Sequence, residues 1–268
     1  TRPLLHRPSE RHATAPEHPI PPRPYHRPIK LALAQINPTI GDMKGNAALI
    51  LDAADSCPLA DLLVCPELCL TGYPPKDLLM HEGFLDEALA QAKALAESLA
   101  RQLPPSLTVV VGLPLASETG PGITNSLVVL RAGAIIARYD KRLLPTYDVF
   151  DEDRYFVPGS RACVIDVGPA NDSTRVGLSI CEDLWRGQDA GFASRYLDAP
   201  DPVAELTSAG ARVIINPSAS PFVLGKSARH RDILRRHATN HRVFVASVNQ
   251  VGGNDDLVFD GHSCVIDP

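Results

Sequence analysis

The feature that most constrains the fold is an alternation of short apolar runs with longer stretches of helical apolar spacing, which begins abruptly at Ile29. Alternation of strands with helices is typical of parallel strand pairing, because each crossover needs a connection long enough for a helix. Two pairs of apolar runs, however, are separated only by short polar loops, and each pair predicts an antiparallel hairpin. The sequence therefore predicts an α/β domain built as a layered sandwich with mixed sheets.

The individual elements follow from apolar periodicity and from turn residues. We expect strands at 29–35, 62–65, 107–113, 125–130, 134–139, 162–167, 175–180, 212–216, 243–250 and 261–266. We expect helices at 47–55, 83–103, 202–209 and 228–240. The second helix must end before Pro104 and Pro105, because proline cannot continue a helix. No internal repeat is visible.

The first 28 residues differ in composition from the rest of the chain. They are rich in Pro, His and Arg and carry few large apolar side chains, so they cannot build a core of their own. Their four histidines are irregularly spaced, which favours a solvated arm over a metal site. We therefore divide the chain into an N-terminal arm at 1–28 and one folded domain at 29–268.

Composition excludes several classes of function. The chain has 268 residues and a formal net charge of -5, which offers no electrostatic footprint for nucleic acid or for an anionic membrane. No apolar run is long enough to span a bilayer, and no apolar core of a signal peptide is visible. Six cysteines without the density of a disulfide scaffold predict a reducing, cytoplasmic environment. Cys65 and Cys69 lack a second pair at zinc-like spacing, so we expect structural thiols and no metal site.

Three reactive side chains stand at or just after the ends of predicted strands: Glu67, Lys141 and Cys181. An ammonium favours the thiolate of a nearby cysteine, by roughly 4 kcal/mol at about 4 Å with an effective dielectric near 20. That corresponds to about three pK units before desolvation is subtracted. A carboxylate can take the thiol proton and later deliver it to a leaving amine. Together the three residue types suit acyl transfer from an amide.

Each of these residues also has an ordinary structural interpretation. A glutamate such as Glu67 is commonly a surface charge or stands at a helix start, and Lys141 could simply solubilise the end of a hairpin. Cys181 could be an inert core thiol. The three positions are far apart in the sequence, so spacing alone does not decide between the two interpretations.

The motifs around the three residues do discriminate. The segments PELCLTGYPPKDLL, YDKRLLPTYDVFDEDRYF and GLSICEDLW resemble, in order, the three signature segments of the nitrilase superfamily. The resemblance covers the chain from about Ile29 onward and implies a Glu-Lys-Cys triad on a four-layer αββα sandwich. CEDLW, LTGYPPKDLL and INPSASPFVLGK are most similar to the glutaminase domain of the glutamine-dependent NAD synthetases.

That resemblance implies a role for each matching residue. Cys181 would attack the carboxamide of L-glutamine and Glu67 would act as general base and acid. Lys141 and the main-chain N–H of Glu182 would hold the oxyanion, and Glu152 would orient the lysine and the substrate. The residues implied to shape the glutamine pocket are Tyr73, Tyr147, Glu182, Ser220 and Lys226. The alternatives are packing for the two tyrosines, a loop cap for Ser220 and a solvated side chain for Lys226.

The same resemblance implies partners beyond this sequence. The amidase chemistry needs no cofactor, whereas ATP and Mg²⁺ would serve a synthetase domain that uses the ammonia to convert nicotinic acid adenine dinucleotide to NAD. No ATP-binding phosphate loop occurs in the sequence, and residues 264–268 resemble the first half of a hairpin. We therefore expect a fragment of a longer chain, and by resemblance a homo-oligomer.

Two other hypotheses remain open at the level of sequence. The first is a stand-alone amidase or carbamoylase of another nitrilase branch, which substrate preference would distinguish. The second is a catalytically silent scaffold that keeps the fold for partner binding. The presence of all three triad residues argues against the second hypothesis.

Overall fold

The computed structural model describes residues 28–186, 196 and 199–268. Apart from Pro28, the predicted N-terminal arm lies outside these residues. The first sheet contains β1 (Leu31–Leu33), β2 (Leu62–Val64), β3 (Thr108–Ala116), β4 (Ile123–Arg131) and β5 (Ala134–Asp140), in that spatial order. The pairs β1–β2 and β2–β3 are parallel, whereas β3–β4 and β4–β5 are antiparallel. The β4–β5 hairpin turns through Ala132 and Gly133, both with positive φ.

The second sheet has the same mixed character. Its strands are β6 (Val164–Val167), β7 (Thr174–Leu178), β8 (Val213–Ser218) and β9 (Phe244–Asn249). After a separate hairpin of β10 (Val251–Asn254) and β11 (Leu257–Asp260), the strand β12 (Cys264–Ile266) joins this sheet. The spatial order is β12-β9-β8-β7-β6, with β7–β8 and β8–β9 parallel and both outer pairs antiparallel. The prediction of mixed sheets is confirmed.

In the described part of the chain, four α-helices cover the two sheets: α1 (Met43–Asp55), α2 (Phe84–Gln102), α3 (Pro202–Ser208) and α4 (Lys226–His241). The period-two alternation of the strands sorts their side chains into layers. Leu62 and Val64 of β2 pack between the two sheets, whereas Leu63 packs under α1 and α2. A third apolar layer joins the second sheet to α3 and α4. The predicted four-layer αββα sandwich is therefore confirmed.

Two departures from the sequence-based elements have a clear physical cause. Helix α1 begins at Met43, four residues before the predicted start, because the side chain of Asp42 accepts a hydrogen bond from the N–H of Gly45. The β10–β11 hairpin was missed, since Gly252 and Gly253 supply no alternating side chains by which a strand could be recognised.

The sandwich brings the chain just beyond β2, β5, β7 and β8 to one place. Glu67 follows β2 and Lys141 follows β5, and their side chains are in direct contact. The N–H of Ala219, just after β8 in the other sheet, donates to the same glutamate. Among the described residues, every helix is too short or too polar to cross a membrane.

Candidate active site

Glu67 is held from three directions. Its side chain is only 1% exposed, and its Oε1 atom accepts from Lys141 Nζ at 2.6 Å and from Asn125 Nδ2 at 2.7 Å. Its Oε2 atom accepts from the main-chain N–H of Ala219 at 2.9 Å. The turn that carries Glu67 lies so close to β3 that a side chain at Gly112 would collide with the backbone of Leu68. The carboxylate is therefore fixed in one orientation by main-chain and side-chain donors together.

Lys141 is completely buried between two carboxylates. Its Nζ atom lies 2.6 Å from Glu67 Oε1 and 2.8 and 2.9 Å from the two oxygens of Glu152. Burial alone lowers the pKa of a lysine, but here the charges of Glu152 and Glu67 outweigh it and hold the pKa of Lys141 well above its usual value. Lys141 is therefore an ammonium at neutral pH.

Glu152 lies on a short 3-10 turn, Glu152–Arg154, and its Oε1 atom also accepts from the hydroxyl of Tyr73 at 2.9 Å. Burial raises the pKa of Glu152 to about 7, Lys141 opposes the rise and the charge of Glu67 adds to it. Two carboxylates flank one ammonium, so the cluster carries a surplus negative charge in a buried place. The cluster therefore takes up a proton near neutral pH.

This protonation predicts a pH dependence of stability. The pKa of Glu152 rises from 4.5 to about 7 on folding, so the folded state binds the proton more tightly. The resulting stabilisation is complete below pH 4.5 and is lost as the pH rises through about 7. We expect Glu152→Gln to remove this loss, because the amide is neutral at every pH. Urea denaturation between pH 5 and 8 measures the difference.

Asp151, the exposed residue before Glu152, provides the matched control for the urea denaturation experiment. Asp151→Asn changes the same kind of group at the surface and should keep the wild-type dependence on pH. Parallel curves of unfolding free energy against pH for wild type and Glu152→Gln would show that Glu152 takes up no proton on folding.

Cys181 opens a 3-10 turn, Cys181–Leu184, just beyond β7. Its backbone has a φ of 39°, a left-handed conformation that costs a non-glycine residue about 1–3 kcal/mol. Asn216 Nδ2 donates to the carbonyl of Cys181 at 3.4 Å and to the hydroxyl of Ser179 at 3.1 Å. Strain of this kind is stored where the surrounding structure determines it, and it is typical of functional turns.

The charge state of Cys181 differs from the sequence-based expectation of a thiolate favoured by a nearby ammonium. Burial raises the pKa of the Cys181 thiol, Glu67 raises it further, and Lys141 lowers it by less than these two effects. The loss of hydration therefore outweighs the attraction of the lysine, because the sulfur lies away from water. The resting sulfur is a thiol, and it needs a base to become a nucleophile. Glu67 is the carboxylate that interacts most strongly with it.

A cavity of about 570 Å³ opens at Trp185, the residue that follows the Cys181–Leu184 turn. It is lined by Tyr147, Phe150, Trp185 and Lys226 among others, and Lys226 Nζ lies 5.5 Å from the centre of the Phe150 ring. Behind Tyr147, the buried carboxylate of Glu182 accepts from the Tyr147 hydroxyl at 3.0 Å. This wall therefore combines a cation, aromatic rings and a tethered carboxylate.

Tyr73 lies on the other side of the site. Together with Glu152 it lines a separate cavity of about 420 Å³, which also includes Arg154 and Asp255. Ser220 lines neither cavity, and its backbone N–H and carbonyl both pair with the side chain of Asn249, at 2.8 and 3.0 Å. The five residues expected to shape one pocket are thus divided by the fold into separate groups.

Sequence reasoning missed four polar residues of the site: Asn125, Asp183, Tyr196 and Asn216. Asn216 follows three apolar residues in β8, and an amide in such a run was a usable signal. Asn125 lies between Thr124 and Ser126 in β4 and does not stand out. Tyr196 donates to Glu182 at 2.9 Å, and nothing in the local sequence indicates this contact.

The thiols of Cys65 and Cys69 are both buried next to the Glu67 turn, and neither forms a disulfide. Over residues 28–186, 196 and 199–268, no group of three or more His, Cys, Asp and Glu side chains is placed to hold a metal ion.

A four-layer αββα sandwich with a buried carboxylate, ammonium and thiol meeting at its strand ends defines a class, the nitrilase superfamily of hydrolases. The chain belongs within it to the carbon-nitrogen hydrolase family, which matches residues 30–268.

Two of the similar proteins are both named glutamine-dependent NAD(+) synthetase. The glutamine-dependent NAD(+) synthetase of Synechocystis is 40% identical over 243 residues, which cover 88% of this chain and 42% of the relative. The glutamine-dependent NAD(+) synthetase of Aquifex aeolicus is 38% identical over 242 residues, covering 90% of this chain and 39% of the relative. The chain thus spans about two fifths of the length of these curated relatives.

Solved structures agree with this placement. The glutamine-dependent NAD+ synthetase of Acinetobacter baumannii aligns with a TM-score of 0.75 and 31% identity, covering 89% of this chain and 41% of that one. An amidase from Nesterenkonia sp. aligns with a TM-score of 0.69 and 26% identity, covering 90% and 82%.

Proposed function

We propose that this chain hydrolyses the side-chain amide of L-glutamine through a thioester on Cys181. The observation that carries the proposal is the Lys141 ammonium, clamped between Glu67 and Glu152 and interacting with the Cys181 thiol in a buried site. Such a group supplies a nucleophile, a base and a fixed positive charge without a cofactor. The names of the similar synthetases support glutamine as the substrate.

In the first half-reaction, Glu67 takes the thiol proton as the sulfur attacks the carboxamide carbon. The negative charge that develops on the oxygen is stabilised by Lys141 and by the main-chain N–H of Glu182. Protonated Glu67 then gives its proton to the amide nitrogen, the carbon–nitrogen bond breaks, and ammonia leaves a glutamyl thioester on Cys181.

In the second half-reaction, Glu67 takes a proton from water as the water oxygen attacks the thioester. The carbon–sulfur bond breaks, the proton returns to the sulfur, and glutamate is released. Glutamine and water are thus converted to glutamate and ammonia, and the enzyme regains its resting state. A related Nesterenkonia amidase variant, 25% identical to this chain, carries an acetamide moiety covalently added at its active-site cysteine, which supports Cys181 as the attacking group.

The cavity beside the Cys181–Leu184 turn fits the zwitterionic end of glutamine. Lys226 provides a cation for the α-carboxylate, and Glu182 provides a buried carboxylate for the α-ammonium. Tyr147 links that carboxylate to the cavity wall. Tyr73 positions Glu152 from the opposite side, whereas Ser220 anchors the loop after Ala219 through its backbone bonds to Asn249.

The relatives are more than twice as long as the matched region, which supports a further proposal about the use of the ammonia. The ammonia would pass to a synthetase portion that converts nicotinic acid adenine dinucleotide to NAD, with ATP and Mg²⁺ bound in that portion. A cytoplasmic homo-oligomer is part of the same proposal.

Two assays test the function. A glutamine-mimicking diazo ketone should attach to Cys181, and mass spectrometry of the digested protein should locate the adduct there. Ammonia release should be at least tenfold more efficient, by kcat/KM, from glutamine than from acetamide or an N-carbamoyl amino acid.

The outcomes separate the three hypotheses. Equal turnover of glutamine and simple amides would favour a stand-alone amidase, which the Nesterenkonia enzyme makes a specific alternative because this chain covers 82% of it. Absence of any adduct on Cys181 would favour a scaffold without activity.

A further inference from the structure

Asp183 is a completely buried carboxylate two residues beyond Cys181, and no step of the proposed reaction uses it. Its Oδ1 atom accepts from the main-chain N–H groups of Arg142 at 3.0 Å and Leu143 at 2.9 Å. Its Oδ2 atom accepts from the main-chain N–H of Ile180 at 2.9 Å and from the hydroxyl of Tyr139 at 2.7 Å. Two of the partners directly follow Lys141, and a third directly precedes Cys181.

We propose that Asp183 is a positioning residue that fixes the main chain beside Lys141 to the main chain beside Cys181. The inference rests on the proposed function, in which these two side chains act on one carbonyl group. Strands β5 and β7 belong to different sheets, so no ladder of hydrogen bonds joins them. Asp183 supplies the link across the gap between the sheets.

The geometry requires a carboxylate at this position. A carboxylate has about four sites for hydrogen-bond donors, and Asp183 fills them with three N–H groups and one O–H group. An asparagine must turn its NH₂ group toward one pair of these donors. Of the four donors, only the Tyr139 hydroxyl can also accept a hydrogen bond. The NH₂ group of asparagine should therefore take the place of Oδ2 and donate to Tyr139. The main-chain N–H of Ile180, which donates to Oδ2 in the wild type, then loses its acceptor.

Asp183→Asn should therefore release the Cys181 side of the link and keep the Lys141 side. Misplacement of a reacting group by about 1 Å can reduce a rate roughly 100-fold. We expect kcat for glutamine to fall by about that factor, with a smaller rise in KM, because Glu182 lies on the same turn as Cys181 and Asp183.

Tyr139→Phe is the matched control. It removes one of the four hydrogen bonds to Asp183 but leaves all three main-chain bonds, so kcat should stay within about threefold of wild type. A kcat for Asp183→Asn equal to that of Tyr139→Phe would overturn the proposal. So would a rise in KM with kcat unchanged, since that pattern places Asp183 in substrate binding.

Amide hydrogen exchange in the wild-type protein tests the same link without any substitution, and it decides the matter if Asp183→Asn does not fold. The N–H groups of Arg142, Leu143 and Ile180 should be protected to the same extent and exchange in one opening event. Exchange of Ile180 more than tenfold faster than the other two would overturn the proposal. If wild type neither hydrolyses glutamine nor takes the diazo ketone on Cys181, the proposed function fails, and the exchange result still decides the link.

Discussion

Replacing Cys181 with alanine is expected to reduce glutamine hydrolysis to background, because no other group in the site is placed to form the acyl intermediate. The contact that the structure gives residue 181 with Asn216 uses the main-chain carbonyl, which alanine retains. The fold should therefore survive, with an unfolding free energy within about 1 kcal/mol of wild type. Ammonia release and urea denaturation measure the two effects.

Cys181→Ser is the control for side-chain shape, since it places a hydroxyl oxygen where the sulfur was. Its turnover should also be very low, because the site raises the pKa of the group at this position and a hydroxyl starts from a far higher value than a thiol. If the chain is joined to the proposed synthetase portion, synthesis supported by added ammonia should survive both substitutions. Turnover by Cys181→Ala near the wild-type rate would refute the assignment of the nucleophile.

Lys141→Met should impair both activity and stability. The loss of the ammonium removes the charge that stabilises the oxyanion, and loss of one such donor typically costs about 100- to 1000-fold in kcat. It also leaves Glu67 and Glu152 buried without a cation, and breaking a buried ion pair costs about 3–5 kcal/mol. The two carboxylates must then take up protons to remain buried. The destabilisation should therefore be larger at pH 8 than at pH 5, as urea denaturation at both pH values would show.

Lys76→Met is the matched control for the effect on stability. Lys76 and Asp255 are also 2.6 Å apart, but their side chains are 55% and 54% exposed. Exposed pairs contribute about 0–1 kcal/mol, so this substitution should change the unfolding free energy by no more than that. If the two lysine variants lost equal stability, the burial of the Lys141 cluster would have no energetic consequence, and its carboxylates would not depend on the ammonium.

The sequence predicted most of the fold because strand and helix periods are local properties. The apolar run of β2 predicted a buried strand, and the helical pattern of α2 ended before Pro104, where the structure also ends the helix. The start of α1 was wrong because one capping side chain, Asp42, extends the helix beyond its apolar pattern. The β10–β11 hairpin was missed where glycines remove the pattern altogether.

For the site, the motifs singled out Glu67, Lys141 and Cys181, and they did so through local segments around each residue. They did not indicate which residues make contact with one another. Asp183 lies inside the third motif, but its bonds to Arg142 and Leu143, dozens of positions away, leave no pattern in either segment. The pocket residues were predicted as one set, and only packing divided Tyr73 from Tyr147 and Lys226.

The sequence by itself determined which reactive groups the chain carries and the order of the elements that present them. Only the tertiary structure decided the charge on those groups. A pKa depends on how far a group is removed from water and on which charges face it, and both are settled when two sheets close over one another. That closure raises the pKa of Lys141, keeps the Cys181 sulfur protonated and places a proton on Glu152 near neutral pH.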